Sequence, residues 1–236
     1  MVLGHSLLMG VLGALLVWMS RSQPFPEHAK RFGVLLLILC GIGLIAYRAE
    51  REVGASIEPL VLSLLGGLGV VIGMRHVILT RMDVLIAPVS GLMLTVGVAS
   101  LLAAEWTVMS TFERSGSFVL CALLVLFDIY LVFRTLLIGK LALAWSQAGL
   151  RQLRRGLIEG DGGAIDCFEK AWDEDQEHLN AMAYVALGQI HEHLGRHEEA
   201  DHWNERLARL GGSDAVDPSW PAEIASALKG ARIQSS

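Results

Sequence analysis

Residues 117–133 read SFVLCALLVLFDIYLVF and residues 141–160 read LALAWSQAGLRQLRRGLIEG, with Arg134 and Lys140 between them and no proline in the whole stretch. The first half approaches the apolar length of a bilayer crossing, which takes roughly 20 residues. The second half spaces Leu141, Trp145, Leu150, Leu153 and Leu157 three to five apart, as one face of a helix in water requires. Nothing between the two halves reads as a linker. The sequence therefore predicts a membrane span over 117–138 that runs on, helical in one piece through Leu157, as the opening helix of a soluble module. Gly139 and Gly149 are its weak points, each costing about 1 kcal/mol against Ala.

Upstream of this stretch lie four more apolar runs, 1–19, 32–47, 60–79 and 83–105. The first lacks the basic leader and small-x-small cleavage site of a signal peptide and is read as a span. The polar segments between the runs, 21–31 with its two prolines, 48–58, 75–82 and 107–116, read as loops. The expected fold class is all-α: a polytopic bundle of about five transmembrane helices, residues 1–144, followed by a short helical repeat domain, 145–212. A capping helix and tail, 213–236, complete the chain. Small residues at helix-packing spacing, Gly10 with Ala14, Gly69 with Gly73 and Ala87 with Gly91, fit a bundle whose backbones approach closely.

Composition agrees. Of 236 residues, 53% are hydrophobic and 18% charged, too apolar for an average soluble domain. Residues 1–145 carry a net charge of +2 and residues 146–236 a net of −7. An acidic soluble half lacks the basic footprint that phosphate backbones need, so nucleic acid is excluded as a partner. Cys40, Cys121 and Cys167 lie far apart, two of them in apolar runs, and read as reduced thiols.

Loop charge sets the expected orientation. Arg21, Lys30, Arg31, Arg75, Arg81, Lys140, Arg151, Arg154 and Arg155 fall on one side of the five spans, and Arg48, Arg51 and Arg114 on the other. The positive-inside bias puts the acidic domain in the cytoplasm of a bacterial-type inner membrane.

Residues 181–212 read AMAYVALGQIHEHLGRHEEADHWNERLARLGG. This segment resembles the tetratricopeptide repeat, a 34-residue helix–turn–helix. Tyr184, Leu187 and Gly188 match its aromatic-x2-Leu-Gly signature, Gly195 its turn and Ala200 the small position of its second helix. Ala200, Trp203, Leu207 and Leu210 line one face. The segment departs from the pattern at His191 and Asn204, where the family has aromatics, at Leu207 for a small residue and at Gly212 for the closing proline. Thirty-six residues upstream, Ala164, Phe168 and Ala171 repeat the second-helix pattern, with Gly160-Asp161 as the turn and a first helix over about 145–158. Two repeats fall short of the three or so that stability usually needs. The membrane helix is expected to cap one end, and Pro218–Arg232, with Pro221 at a helix start and Ile224 and Leu228 as its apolar edge, the other. The resemblance implies a protein-binding groove lined by the first helix of each repeat. In the matching register Met182, Val185, Gln189, Glu192 and His193 face it.

His191, His193, His197, Glu198 and His202 cluster in HEHLGRHEEADH, yet Gly195 separates His193 from His197, so they need not share a face as HExxH ligands do. The bland reading is favoured: His191 fills a core slot and the rest decorate a turn, with no metal. Asp128 stands inside the fifth span with no cation three or four residues away, and Arg134 reaches toward the interface. Structural pairing or docking against a neighbouring membrane subunit is favoured for Asp128 over proton or ion transport, because transport usually recruits several intramembrane polar groups. His5, Ser63, Thr95 and Ser100 form no visible pattern with it. The acidic run Asp173, Glu174, Asp175 and Glu177 reads as a solvated loop, and Gly66-Gly67-Leu68-Gly69 as helix packing. With no Walker loop, Rossmann fingerprint, GxSxG or CxxC, neither an enzyme nor a cofactor is expected. The sequence points to a membrane scaffold or assembly subunit. Its rivals are a small transporter or channel component using Asp128, and a subunit of an envelope machine such as exopolysaccharide secretion.

Overall fold

The computed structural model describes residues 2–49, 54, 56–80, 83–137, 141–173 and 178–234. The chain divides into two compact units, Met1–Gly139 and Lys140–Ser236. The join at 138–140, where the sequence predicts an unbroken helix, lies outside the described residues, as do Arg51, Arg81 and most of the acidic run at 174–177.

The first unit is five long helices: α1 (Val2–Met19), α2 (Pro26–Tyr47), α3 (Ile57–Arg75), α4 (Ile86–Ala104) and α5 (Thr111–Val132). All five are long and apolar enough to cross a membrane. Its packing is inside-out relative to a soluble bundle. Ile45, Leu64, Leu68, Val71, Phe118 and Leu126 are exposed, while Gly, Ala and Ser fill the seams. α1 packs on α2, α3 on α4, and α4 on α5. At the α1–α2 crossing a Cβ on Gly13 would sit 2.8 Å from the Gly33 carbonyl oxygen, and the reverse holds for Gly33. Gly69 and Gly73 of α3 press against Ser90 and Ala87 of α4, so the small-residue pairs read from the sequence are seams between helices.

Four helix starts differ from the sequence reading; α3 begins at Ile57, not 60, and the other three have a local reason. α2 starts at Pro26, not 32, because a proline at the first helical position loses nothing; Lys30 and Arg31 are helical. α4 starts at Ile86, not 83, because Asp83 accepts hydrogen bonds from the backbone N–H of Leu85 and Ile86, both at 2.9 Å, and so holds a turn just before the helix. α5 starts at Thr111, not 117. Ser110 and Glu113 form a reciprocal capping box that draws the polar segment into the first turn. α3 and α5 each close on a π turn, His76–Thr80 and Phe133–Leu137.

The second unit is also helical: α6 (Leu141–Arg154), α7 (Ala164–Glu169), α8 (Ala181–His193), α9 (His197–Arg209) and α10 (Ser219–Gln234). A two-residue antiparallel pair, β1 (Trp172–Asp173) with β2 (His178–Leu179), links α7 to α8. α6 ends at Arg154, short of the predicted Leu157. Gly156 takes a left-handed turn (φ 75°) that reverses the chain, and Leu157 is left 53% exposed. One core serves the whole unit, and Leu153, Ala164, Phe168, Ala171, Ala183, Leu187, Ile190 and Ile224 are sealed within it.

Candidate protein-binding face

The second unit is built from two helical hairpins with the same crossing. On α6, a Cβ at Gly149 would fall 2.7 Å from the ring of Phe168 on α7. On α8, a Cβ at Gly188 would fall 2.5 Å from Oδ1 of Asn204 on α9. In each hairpin a glycine admits the side chain that lies four residues after a buried alanine, Ala164 or Ala200. Gly149, read from sequence as a helix weakness, is thus where α7 docks. The missed signal was the Trp145…Gly149 spacing, which matches Tyr184…Gly188. Trp203, rather than Asn204, supplies the aromatic contact to Tyr184, with ring centres 6.0 Å apart.

The hairpins are tied by polar groups. Asn180 caps α8 by accepting from the Ala183 N–H at 2.9 Å, and its amide and the buried Ser146 hydroxyl of α6 exchange hydrogen bonds at 3.1 and 3.2 Å. Arg196, in the α8–α9 turn, pairs with Glu159, after α6. Both are about half exposed, so this pair adds little.

The side chains of α8 assigned to an open groove are placed unequally. Val185 is buried and Met182 half-buried; Gln189 is half-buried, with its side-chain oxygen enclosed and without a hydrogen-bond partner. Glu192 is exposed and His193 partly so. The reason is α10. Read from sequence as a cap on the far end of the repeats, it packs instead on both α6 and α8. Trp220, Ile224 and Leu228, one helical turn apart, are buried with Leu150, Leu153 and Val185 in one cluster. The Trp220 indole meets the Phe168 ring edge-on at 6.4 Å and donates from Nε1 to the Met182 carbonyl at 2.9 Å. Arg154 of α6 pairs with Glu223 of α10 at 3.1 Å on the exposed rim. α10 therefore covers this side of α6 and α8, and its uncovered part is the Glu192–His193 end. The Trp220-x3-Ile224-x3-Leu228 stripe signals that α10 buries one face, without naming the helices it meets.

The histidines of the α8–α9 turn separate as the sequence suggests. Gly195 (φ 75°) breaks the chain, leaving His193 on α8 and His197 on α9. His191 is buried with neither ring nitrogen hydrogen-bonded, and that burial, followed by the Arg196 charge, pushes its pKa below the ordinary histidine value. Burial also pushes the Cys167 thiol up to about 11, with the neighbouring Asp166 charge adding to it.

In the first unit Asp128 faces α4. A Cβ on Gly91 would lie 2.5 Å from its Oδ1, which is enclosed without a hydrogen-bond partner. Arg134 is half-buried in the π turn after α5.

No protein-family model, no curated protein and no solved structure matches this chain.

Proposed function

We propose that the protein is a membrane-integral scaffold or assembly subunit whose second unit is a pair of tetratricopeptide-like repeats. Its binding surface is the α6–α8 face, and its ligand is an amphipathic helix of a partner in a membrane complex. The observation that carries this reading is α10, an amphipathic helix already seated on that face through Trp220, Ile224 and Leu228. The matched crossings at Gly149 and Gly188 support the repeat assignment. Helix-in-groove recognition needs such a row of anchors one turn apart. In the free chain α10 fills the place, and a partner engages the Glu192–His193 end first and then displaces it. The basic residues Arg21, Lys30, Arg31, Arg75 and Arg134 on one side of the bundle support a cytoplasmic domain at an inner membrane.

Site-specific photocrosslinking in cells tests this. A probe at Glu192 should give one discrete adduct, several times stronger when Trp220→Ala loosens α10, while a probe at Glu205 on α9 gives none. Equal adducts from both positions, or no response to Trp220→Ala, would contradict the reading.

A transport role is the second reading, favoured by the enclosed, unpartnered Asp128 Oδ1. Loss of a measured ion flux in Asp128→Asn, with crosslinking intact, would select it.

A further inference from the structure

α4 and α5 form a hairpin that is tight at one end and open at the other. At the tight end Gly91 of α4 meets α5 so closely that a Cβ would fall 2.5 Å from Asp128 Oδ1 and 2.8 Å from Leu131 Cδ1. Toward the connecting turn the residues between the helices are small, Ala99 and Ala103 on α4 and Ser117 and Cys121 on α5, and they leave a groove of about 440 Å³. Leu102 and Phe118 flank it. These positions lie within two helices long and apolar enough to cross a membrane, so the groove opens at bilayer depth. The Ser117 hydroxyl is turned away to donate to Met109 Sδ at 3.6 Å, which leaves the lining apolar. At the mouth stands Trp106, 42% exposed, with the Arg114 guanidinium 5.7 Å above its ring. Arg114 is held there by donating from Nε to the Trp106 carbonyl at 3.1 Å and from Nη2 to the Thr107 carbonyl at 3.5 Å. A guanidinium carries five N–H donors, so most of them stay free. Among the described residues no ion pair engages Arg114, and the neighbouring Glu113 turns its carboxylate back onto Ser110.

We propose that this groove binds one phospholipid of the bilayer, with an acyl chain along the α4–α5 seam and the phosphate at Arg114. A groove between membrane helices is stabilised by whatever restores the dispersion contacts its lining lacks. Water is a poor filler, because each molecule needs two or more polar partners and the lining offers almost none. A partner helix is too large: two turns of a helix about 10 Å across occupy roughly 850 Å³. A single acyl chain is narrow, flexible and as apolar as the side chains it touches. The headgroup end follows from Trp106 and Arg114. Tryptophan settles at the headgroup level of a bilayer, which puts the Arg114 guanidinium at the depth of the lipid phosphates. Its free donors suit two phosphate oxygens at once. This site lies in the first unit and does not rest on the scaffold reading, which concerns the second.

The test is photolabelling of the full-length protein in phosphatidylcholine nanodiscs. They carry a small fraction of phosphatidylcholine with a diazirine on one acyl chain, and adducts are mapped by peptide mass spectrometry. Adducts on 99–106 and 117–121 are expected at least fivefold above those on 34–45 of α2, where Ile38, Ile42 and Ile45 are also exposed. Ala103→Phe, which fills the groove, should bring them down to the α2 level. A diacylglycerol with the same diazirine chain lacks the phosphate and should label the groove several-fold less than the phospholipid. Arg114→Gln, which can still donate to a carbonyl but carries no charge, should abolish that difference. This second comparison decides the matter should Ala103→Phe fail to insert. Adducts no stronger than those on α2, or equal labelling by the two probes in the wild type, overturn the proposal. So does labelling unchanged by both variants. A Cys121–Cys121 disulfide formed under mild oxidation in place of lipid adducts would put a second copy in the groove and overturn it as well.

Discussion

The Trp220 indole N–H donates to the backbone carbonyl of Met182 at 2.9 Å, joining α10 to the first turn of α8. A buried indole needs such a partner, and here it also fixes which way α10 lies. Truncating a buried Trp costs about 3–5 kcal/mol, against about 1 kcal/mol for losing one hydrogen bond. Trp220→Ala should therefore release α10, whereas Trp220→Phe should keep it seated. Limited proteolysis of the membrane-bound protein checks this, with new cleavage after α9 in the alanine variant alone.

Gly149 should tolerate no side chain, because one there would meet the fully buried ring of Phe168. Gly149→Ala would gain helix propensity, worth about 1 kcal/mol, yet the new methyl meets the Phe168 ring at 2.7 Å. Overpacking at a fixed crossing costs about 1–3 kcal/mol, so the sum is unfavourable. Thermal unfolding of the second unit within the full chain should show a lower midpoint for Gly149→Ala. Gly230→Ala on α10, where a Cβ meets nothing within 4 Å, should show a rise.

His191 supplies a pH dependence. Its pKa is lowered in the folded state, chiefly by burial, so protonation favours the unfolded state. Its contribution is intact above the ordinary histidine value of about 6.5 and is lost as pH falls through the lowered folded value. His191→Phe, which restores the aromatic of the repeat pattern, should raise stability and flatten its fall between pH 7 and pH 5. An unchanged pH profile in that variant would remove His191 as the cause.

Cys167 should resist alkylation. It is 3% exposed, and its pKa rises from 9.0 to about 11. At pH 8 that shift alone cuts the thiolate population about a hundredfold, and thiolate is the reacting form. Iodoacetamide should label Cys167 at least a hundred times more slowly in the native chain than after denaturation. Comparable rates would mean that α7 is not docked.

The membrane helices were legible because a bilayer imposes length and apolarity, and both survive in composition alone. Their starts were not. Pro26, Asp83 and Ser110–Glu113 act through turns and caps, which pull polar residues into or out of a first turn without changing hydropathy. The crossings of the second unit were half legible. Gly188 stands in the aromatic-x2-Leu-Gly run that resembles a repeat, but the three extra residues between Gly149 and Ala164, compared with Gly188 and Ala200, hid the equivalent glycine. The placement of α10 could not be read, since its Trp220, Ile224 and Leu228 stripe says that one face is buried and not against which helices. Likewise His5, Glu58 and Ser100 meet only because three helix ends coincide in space.

The central claim is that the α6–α8 face is a helix-binding surface held by α10. Hydrogen exchange of the full-length protein in nanodiscs, wild type against Trp220→Ala, tests it most directly. Slow exchange over 181–190 in the wild type is expected to become at least tenfold faster in the variant, together with 219–231. Residues 198–208 of α9 should stay unchanged. Faster exchange confined to 219–231, or spread equally over α8 and α9, would contradict the claim.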